Sequence, residues 1–135
     1  MARKIFVNLP VRDLPKSIEF YRAIGFTLNP QFTDETAACM VLSEEIYVML
    51  LTHPKFAGFT SNTIADATQT TEVINALSCD DRPAVDATAE KAVAAGGRQH
   101  RDPMDHGFMY LRSFQDLDGH VWEIFWMDPA AVPQG

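Results

Sequence analysis

The chain has 135 residues, of which 47% are hydrophobic and 21% charged, and its formal net charge is −7. These values are typical of one ordinary globular domain. The acidic charge, with no local cluster of Lys and Arg, excludes nucleic acid and an anionic membrane surface as expected partners. The longest apolar run, IYVMLL, is far shorter than the roughly 20 residues that a membrane helix needs.

The first half of the chain predicts the order strand, helix, strand, strand, strand. A β-rich run, KIFVNLPV, precedes the predicted helix DLPKSIEFYRAIGF. In that helix Asp13 is the expected N-cap, Pro15 lies in the first turn and Gly25 ends the helix. Three further runs, FTLNPQF, TAACMVLS and IYVMLLT, are separated by turn residues and predict strands.

The second half predicts the same order again. TEVINALSC indicates a strand, and DDRPAVDATAEKAVAAGG a helix with Pro83 in its first turn and Gly96 and Gly97 at its end. RQHRD is a short strand at best, and GFMYLRSF and HVWEIFWM predict a hairpin across the polar turn QDLDG. The polar segment 53–70 between the halves indicates a connector with one helical turn.

The repeated order indicates a duplicated βαβββ unit. We therefore expect an α+β fold of two tandem modules, at about 3–52 and about 71–128, joined by the connector and followed by a tail at 129–135. Neither four-stranded sheet can bury its free face alone, so the two sheets are expected to curl around a shared cavity.

The two cysteines, Cys39 and Cys79, lie in apolar strand-like segments. This favours two reduced, buried thiols over a disulfide framework, and reduced thiols fit a cytoplasmic protein. The N-terminal sequence MARKIFVNLP reaches Asn8 and Pro10 before a signal-peptide core could form.

Two motifs carry a resemblance to a known family. VRDLPKSIEFYRAIGF (11–26) is similar to a strand-to-helix signature ending in F-Y-x-x-x-G-F, and FQDLDGHVWEIFW (114–126) to a terminal hairpin D-P-D-G-[HN]-x-[WY]-E. These two signatures are those of the vicinal oxygen chelate superfamily, which this chain therefore resembles. The superfamily includes glyoxalase I, bleomycin-resistance proteins, fosfomycin-resistance enzymes and extradiol dioxygenases. Leu117 replaces the usual proline of the hairpin. The resemblance covers almost the whole chain and implies a homodimer with cavities at or beside its two-fold interface.

The resemblance also implies where a metal would bind, because the metal-dependent members take one ligand from each of four strands. Glu123 falls on the last of these positions. The other three map near Phe6, Leu50 and Ile74, whose side chains cannot bind any metal. The amide of Asn75, next to the third position, is a weak ligand for such ions. We therefore expect no cofactor, and a divalent ion (Ni, Zn, Mn or Fe) is the alternative.

Glu123 lies among large apolar side chains, where a buried carboxylate needs a partner. If the hairpin loop has an even number of residues, opposite positions sum to 235, so that Arg112 faces Glu123 and Tyr110 faces Phe125. This predicts a structural Arg–Glu pair. Two alternatives stay open: Arg112 binds an anionic substrate group while Glu123 acts as a base, or Glu123 is a metal ligand completed by histidines elsewhere.

Two functions follow, and whether the protein is an enzyme stays open between them. We expect a metal-free protein of the resistance type that holds an aromatic or amphipathic compound between its sheets. The alternative is a lyase or dioxygenase whose metal holds two vicinal oxygens while a carboxylate moves a proton. His106, at the mouth of the expected cavity, is with Glu123 the preferred candidate for acid–base chemistry. The expected ligand contacts are Phe6, Asn8, Leu50, Ile74, Tyr110, Arg112 and Trp122.

Overall fold

The computed structural model describes residues 2–131, which form an α+β fold with two sheets. The expected tail therefore lies partly outside the described residues, at 132–135. The first sheet has the strand order β1-β4-β3-β2. Its β1 and β4 are parallel and its other pairs antiparallel. The strands are β1 (Ile5–Val11), β2 (Thr27–Asn29), β3 (Ala37–Val41) and β4 (Ile46–Thr52).

The second sheet follows the same plan, so the predicted duplicated α+β architecture is confirmed. Its order is β5-β9-β8-β6, and a further short strand, β7, also pairs with β8. The edge strand of this half is split into β6 and β7. Between them the N–H groups of His100 and Arg101 both donate to Ser113, and Pro103 has no N–H with which to continue the strand pairing. The strands are β5 (Ile74–Ser78), β6 (Arg98–Gln99), β7 (Met104–Asp105), β8 (Met109–Gln115) and β9 (Val121–Met127).

The helices begin and end where the sequence predicted. In α1 (Leu14–Ala23) the Asp13 side chain accepts a hydrogen bond from the Lys16 N–H at 3.1 Å. In α3 (Arg82–Ala94) the Asp81 side chain does the same for the Ala84 N–H at 2.8 Å. A short helix, α2 (His53–Ala57), opens the connector, and 3-10 turns lie at Pro30–Phe32 and Pro129–Ala131.

One hydrophobic core joins the two halves. Phe20 and Tyr21 of α1 are fully buried against Phe114 and Trp122 of the second sheet. The Phe20 and Phe114 ring centroids are 6.1 Å apart, and those of Tyr21 and Trp122 are 5.9 Å apart. The first helix therefore packs on both sheets and fixes one half against the other.

Side chains that alternate with the core residues point to the opposite side of each sheet, which we call the open face. On the first sheet, Phe6 and Asn8 of β1 share this face with Tyr47 and Met49 of β4. On the second sheet it carries Ile74, Ala76, Ser113, Glu123 and Phe125. Phe6 and Ile74 are 50% and 51% exposed. The open face thus presents apolar side chains to solvent.

Both cysteines are free thiols, Cys39 buried and Cys79 half-buried. Burial raises the pKa of each thiol, so neither is a reactive thiolate at neutral pH. Within residues 2–131, no helix has the length and apolarity to cross a membrane.

Candidate functional site

Two stacked aromatic rings form a platform on the open face of the first sheet. Phe6 and Tyr47 are register partners on β1 and β4. Their ring centroids lie 4.6 Å apart, with the ring planes inclined by 10°. Lys4 Nζ lies 5.6 Å from the Tyr47 centroid, and the Tyr47 hydroxyl donates to the Glu44 carbonyl at 2.8 Å. The tyrosine ring is thus held in place, and the platform offers a flat apolar contact to a ligand.

Glu123 lies on the open face of the second sheet and is half-exposed. Its neighbours across the strands are Ala76 on β5 and Ser113 on β8. Ala76 has no polar side chain, and the Ser113 hydroxyl accepts a hydrogen bond from the Arg101 N–H at 3.1 Å. Among the described residues, no hydrogen bond or ion pair reaches the Glu123 carboxylate. It is therefore free to meet solvent, a ligand or a second chain.

The predicted pairing of Arg112 with Glu123 is wrong, and so is that of Tyr110 with Phe125. The loop between β8 and β9 has an odd number of residues, 116–120, and Arg112 faces Ile124 while Ser113 faces Glu123. The carboxylate of Asp116 accepts the N–H groups of residues 118 and 120 and so closes this odd loop. A shift of one residue turns every side chain to the other face of the sheet.

Arg112 and Tyr110 instead join β8 to α3. Arg112 Nη1 lies 3.1 Å from Asp86 Oδ1 and 3.9 Å from Glu90 Oε1. The Tyr110 hydroxyl donates to the same Asp86 carboxylate at 2.6 Å, which lowers the pKa of Asp86 and raises that of Tyr110. Both side chains have structural partners on the side of the sheet opposite Glu123. The Arg–Glu pair is therefore absent in its structural and its functional version alike.

The other expected contacts divide between the two sides of the sheets. Leu50 and Trp122 are 0% and 1% exposed in the core, and Trp122 Nε1 donates to the Tyr21 hydroxyl at 3.0 Å. The open-face position on β4 belongs to Met49 rather than Leu50. Phe6, Asn8 and Ile74 lie on the open face, as a ligand contact there requires. Their contact with a ligand stays a prediction.

His106 lies in the exposed turn between β7 and β8. Arg82 fixes this turn with two hydrogen bonds to Asp105, at 2.8 and 3.0 Å, and one to the Gly107 carbonyl at 2.8 Å. The His106 ring lies 6.2 Å from that of Phe108. Within the described part of the chain no hydrogen bond joins His106 to Glu123, so the structure does not bring these two candidates together as an acid–base pair.

Asp116 is the most deeply buried carboxylate of the described residues, at 5% exposure. It accepts hydrogen bonds from the Tyr21 hydroxyl at 2.5 Å and from the N–H groups of Asp118 and His120 at 2.9 and 2.8 Å. Burial raises the pKa of the Asp116 carboxyl. Burial, with the negative charge of Asp116 beside it, raises the pKa of the Tyr21 hydroxyl well above its ordinary value. The partners come from both halves of the chain, so this carboxylate is part of the contact between them.

Asp118 and His120 complete the same contact. The Asp118 carboxylate accepts the Arg12 N–H at 2.9 Å and the Ser17 hydroxyl at 3.5 Å, and His120 Nε2 lies 2.7 Å from the Pro10 carbonyl oxygen. The loop 116–120 therefore fastens the terminal hairpin to β1 and α1. Sequence reasoning treated QDLDG as a polar turn, although two acids inside one tight loop already indicate carboxylates that accept backbone N–H groups.

The open face does not fit the usual metal site of the family suggested by the two motifs. On the open face, the ligand positions that the resemblance implies are occupied by Phe6, Met49, Ile74 and Glu123, so only Glu123 offers a ligand atom suited to Ni, Zn, Mn or Fe. Within residues 2–131, no group of three or more His, Cys, Asp or Glu side chains could hold a metal ion. That the protein works without a metal stays a prediction.

Comparisons with known proteins identify the family from a family model and the fold from solved structures. A family model described as the Glyoxalase/Bleomycin resistance protein/Dioxygenase superfamily matches residues 5–124. The chain is similar to hypothetical protein SA1046 from S. aureus, with 30% identity, coverage of 93% of this chain and 95% of that one, and a TM-score of 0.78. A glyoxalase-related enzyme from Fulvimarina pelagi has 19% identity, 100% and 94% coverage and a TM-score of 0.78. A family enzyme from Burkholderia phytofirmans PsJN has 20% identity, 93% and 99% coverage and a TM-score of 0.76. A search of curated proteins found no match.

Proposed function

Because this chain belongs to the glyoxalase/bleomycin resistance protein/dioxygenase superfamily, we propose that it binds a small aromatic or amphipathic molecule on its open face without a metal ion. The observation that carries the proposal is the Phe6–Tyr47 stack on the open face of the first sheet, where Phe6 is half-exposed, while on the open face of the second sheet Glu123 is the one residue at the implied ligand positions that suits such a metal ion. This combination offers stacking and one charge, but not a chelate.

The chemistry of the face narrows the ligand. A flat ring of the ligand can stack on Phe6, which is half-exposed on the first sheet. The same ring gains apolar contact with Ile74 where the open face of a second sheet lies against it. The carboxylate of Glu123, to which no residue of 2–131 bonds, favours a ligand with a positive charge or a hydrogen-bond donor. The net charge of −7 also disfavours anions. A planar aromatic cation combines these properties.

We propose further that two copies of the chain form a homodimer through their open faces. Phe6 lies on β1 and Ile74 on β5, and both strands are at the edge of their sheet in the described chain. Exposed apolar side chains on strand edges favour association. A second copy would place the platform of one chain opposite the carboxylate of its partner and so enclose a ligand.

The dimer is tested by analytical ultracentrifugation of Ile74→Lys beside Val73→Lys. Val73 is 57% exposed, and it precedes β5 on the same edge, so it is a control of matched exposure. We expect Ile74→Lys to give a monomer and Val73→Lys to remain dimeric. A monomeric wild-type protein, or equal behaviour of the two variants, contradicts the dimer.

Ligand binding is tested by fluorescence titration with proflavine, a planar aromatic cation. Losing the stacking ring in Phe6→Ala should weaken binding about tenfold, which corresponds to roughly 1.4 kcal/mol. Glu123→Gln should weaken it and remove much of its dependence on salt. Phe108→Ala is the control, because Phe108 is also 50% exposed but lies in the turn beside His106. Equal affinities of Phe6→Ala and Phe108→Ala contradict the proposal.

The metal-dependent lyase or dioxygenase is the alternative outcome of the same work. It requires one bound divalent ion per chain and a turnover that Glu123→Gln abolishes. A cytoplasmic location is part of our proposal and is supported by the two free cysteines.

A further inference from the structure

A separate cleft of about 310 Å³ lies between the two halves, beneath the connector. Its walls are the end of β1, the segments 60–65 and 70–73, and residues 119–121. Neither Phe6, Tyr47 nor Glu123 lines it, so it is distinct from the Phe6–Tyr47 platform, although Asn8 of the open face lies at its edge. The volume is at the lower end of the range for small-molecule pockets.

The connector wall of this cleft is fixed by close contacts. Asp66 accepts the Thr68 N–H at 3.0 Å and its hydroxyl at 2.6 Å, and Arg12 Nη2 lies 3.4 Å from the same carboxylate. Gly119 lies so close that an added Cβ would come within 2.8 Å of the backbone of Ala67 and Thr68. The cleft is therefore built by packed segments and not by a loosely attached loop.

Three polar side chains on the cleft have hydrogen-bonding capacity that no described residue uses. His120 Nε2 faces the Pro10 carbonyl, which can only accept, so Nε2 carries a proton and, in the neutral ring, Nδ1 is left as an acceptor. Asn8 donates one amide N–H to the Phe6 carbonyl at 3.3 Å, and no described residue bonds to its second N–H or to its side-chain oxygen, which is an acceptor. Asn75 is half-buried, and its side-chain amide makes no hydrogen bond with any of residues 2–131. All three residues line the cleft.

We infer that this cleft is a second binding site, for a small uncharged molecule that donates at least two hydrogen bonds from an apolar body. Nδ1 of the neutral His120 ring and the side-chain oxygen of Asn8 are acceptors that no described residue uses, so a ligand with two donors can satisfy both. The remaining N–H groups of the Asn8 and Asn75 amides can donate to the same oxygens of such a ligand. The charged residue on the lining is an exposed acid, Glu72, which disfavours an anion. The apolar part of the wall, Leu9, Phe56, Ile64, Val73 and Val121, matches an apolar body.

Resorcinol is a suitable probe, and its dimethyl ether has the same ring without the two donors. Each is titrated at millimolar concentration into the full-length protein labelled with ¹⁵N, and amide shifts are followed by NMR. We expect resorcinol to shift amides in 60–75 and 119–121, and the ether to bind about tenfold more weakly, since each lost hydrogen bond corresponds to roughly a threefold change or more.

Asn75→Ala should weaken resorcinol binding about fivefold, because it removes one hydrogen-bonding partner of the ligand. Asn8→Ala should act in the same direction and guards against a folding defect in a single variant. Gln31→Ala is the control, since Gln31 is exposed and outside the cleft. The inference is overturned if resorcinol shifts only open-face amides or none, if the ether binds equally well, or if both asparagine variants bind like the control.

Discussion

Replacing Asp116 by alanine tests whether the loop 116–120 holds the two halves of the chain together. The change removes the acceptor of the Tyr21 hydroxyl and of two backbone N–H groups. A buried donor without a partner costs about 1–3 kcal/mol. Three such donors, with water relieving part of the loss in the loop, give an expected destabilisation of about 3–5 kcal/mol.

The matched variant is Glu123→Ala, which removes the carboxylate that the sequence had marked as buried. Because this carboxylate is half-exposed and no described residue bonds to it, the stability should change by no more than about 0.5 kcal/mol. Equilibrium unfolding in urea measures both. With a slope of about 2 kcal/mol/M, the Asp116→Ala midpoint should fall by about 2 M. A loss below about 1 kcal/mol for Asp116→Ala, or equal losses in the two variants, would refute the reasoning.

Further predictions concern the same contacts. Tyr21→Phe should cost about 1–3 kcal/mol in urea unfolding, because it leaves Trp122 Nε1 without an acceptor and removes the donor to Asp116 Oδ2; a neutral effect would contradict this. Asp105 has a pKa of about 2, held low by Arg82, so its contribution to stability is complete above the ordinary value of 3.8 and is lost as the pH falls from there through about 2. In Arg82→Gln its carboxyl should titrate at higher pH by NMR, and an unchanged titration would exclude Arg82 as the cause. Because the pKa of Asp116 is raised by burial, the part of its contribution to stability that depends on the protonated form is lost as the pH rises through that pKa, so the stability difference between wild type and Asp116→Asn should shrink with rising pH; a widening difference would contradict the direction. Gly119→Ala should destabilise more than Gly107→Ala, since both have positive φ but only Gly119 would place its Cβ against backbone; equal unfolding midpoints would exclude the close contact.

The fold could be predicted from the sequence because its signals are local. Asp13 and Asp81 mark helix starts, and Gly25 and Gly96, at φ 107° and 108°, mark helix ends. Repetition of these signals in both halves indicated the duplicated unit, and the terminal motif placed Glu123 on the last strand.

The sequence predicted less well which side chains lie on which face of each sheet, because this depends on the register between paired strands. The hairpin register depended on whether the loop had an even or odd number of residues, and the side-chain bonds of Asp116 decided that. The predicted register was wrong by one residue, so Arg112 and Tyr110 lie on the face that packs against α3 and not on the face of Glu123. The pairing of Phe6 with Tyr47 joins parallel strands some 40 residues apart, and no turn between them fixes its register.

The most direct test of metal-free binding compares one protein preparation in two states. The protein is treated with a chelator, divided, and one part is supplied with Ni, Zn, Mn and Fe before its metal content is measured and proflavine is titrated into both parts. We predict no bound metal above background and the same affinity in both parts, reduced alike by Phe6→Ala. About one ion per chain, lost in Glu123→Gln and required for proflavine binding, would contradict the proposal and indicate a metal-dependent enzyme.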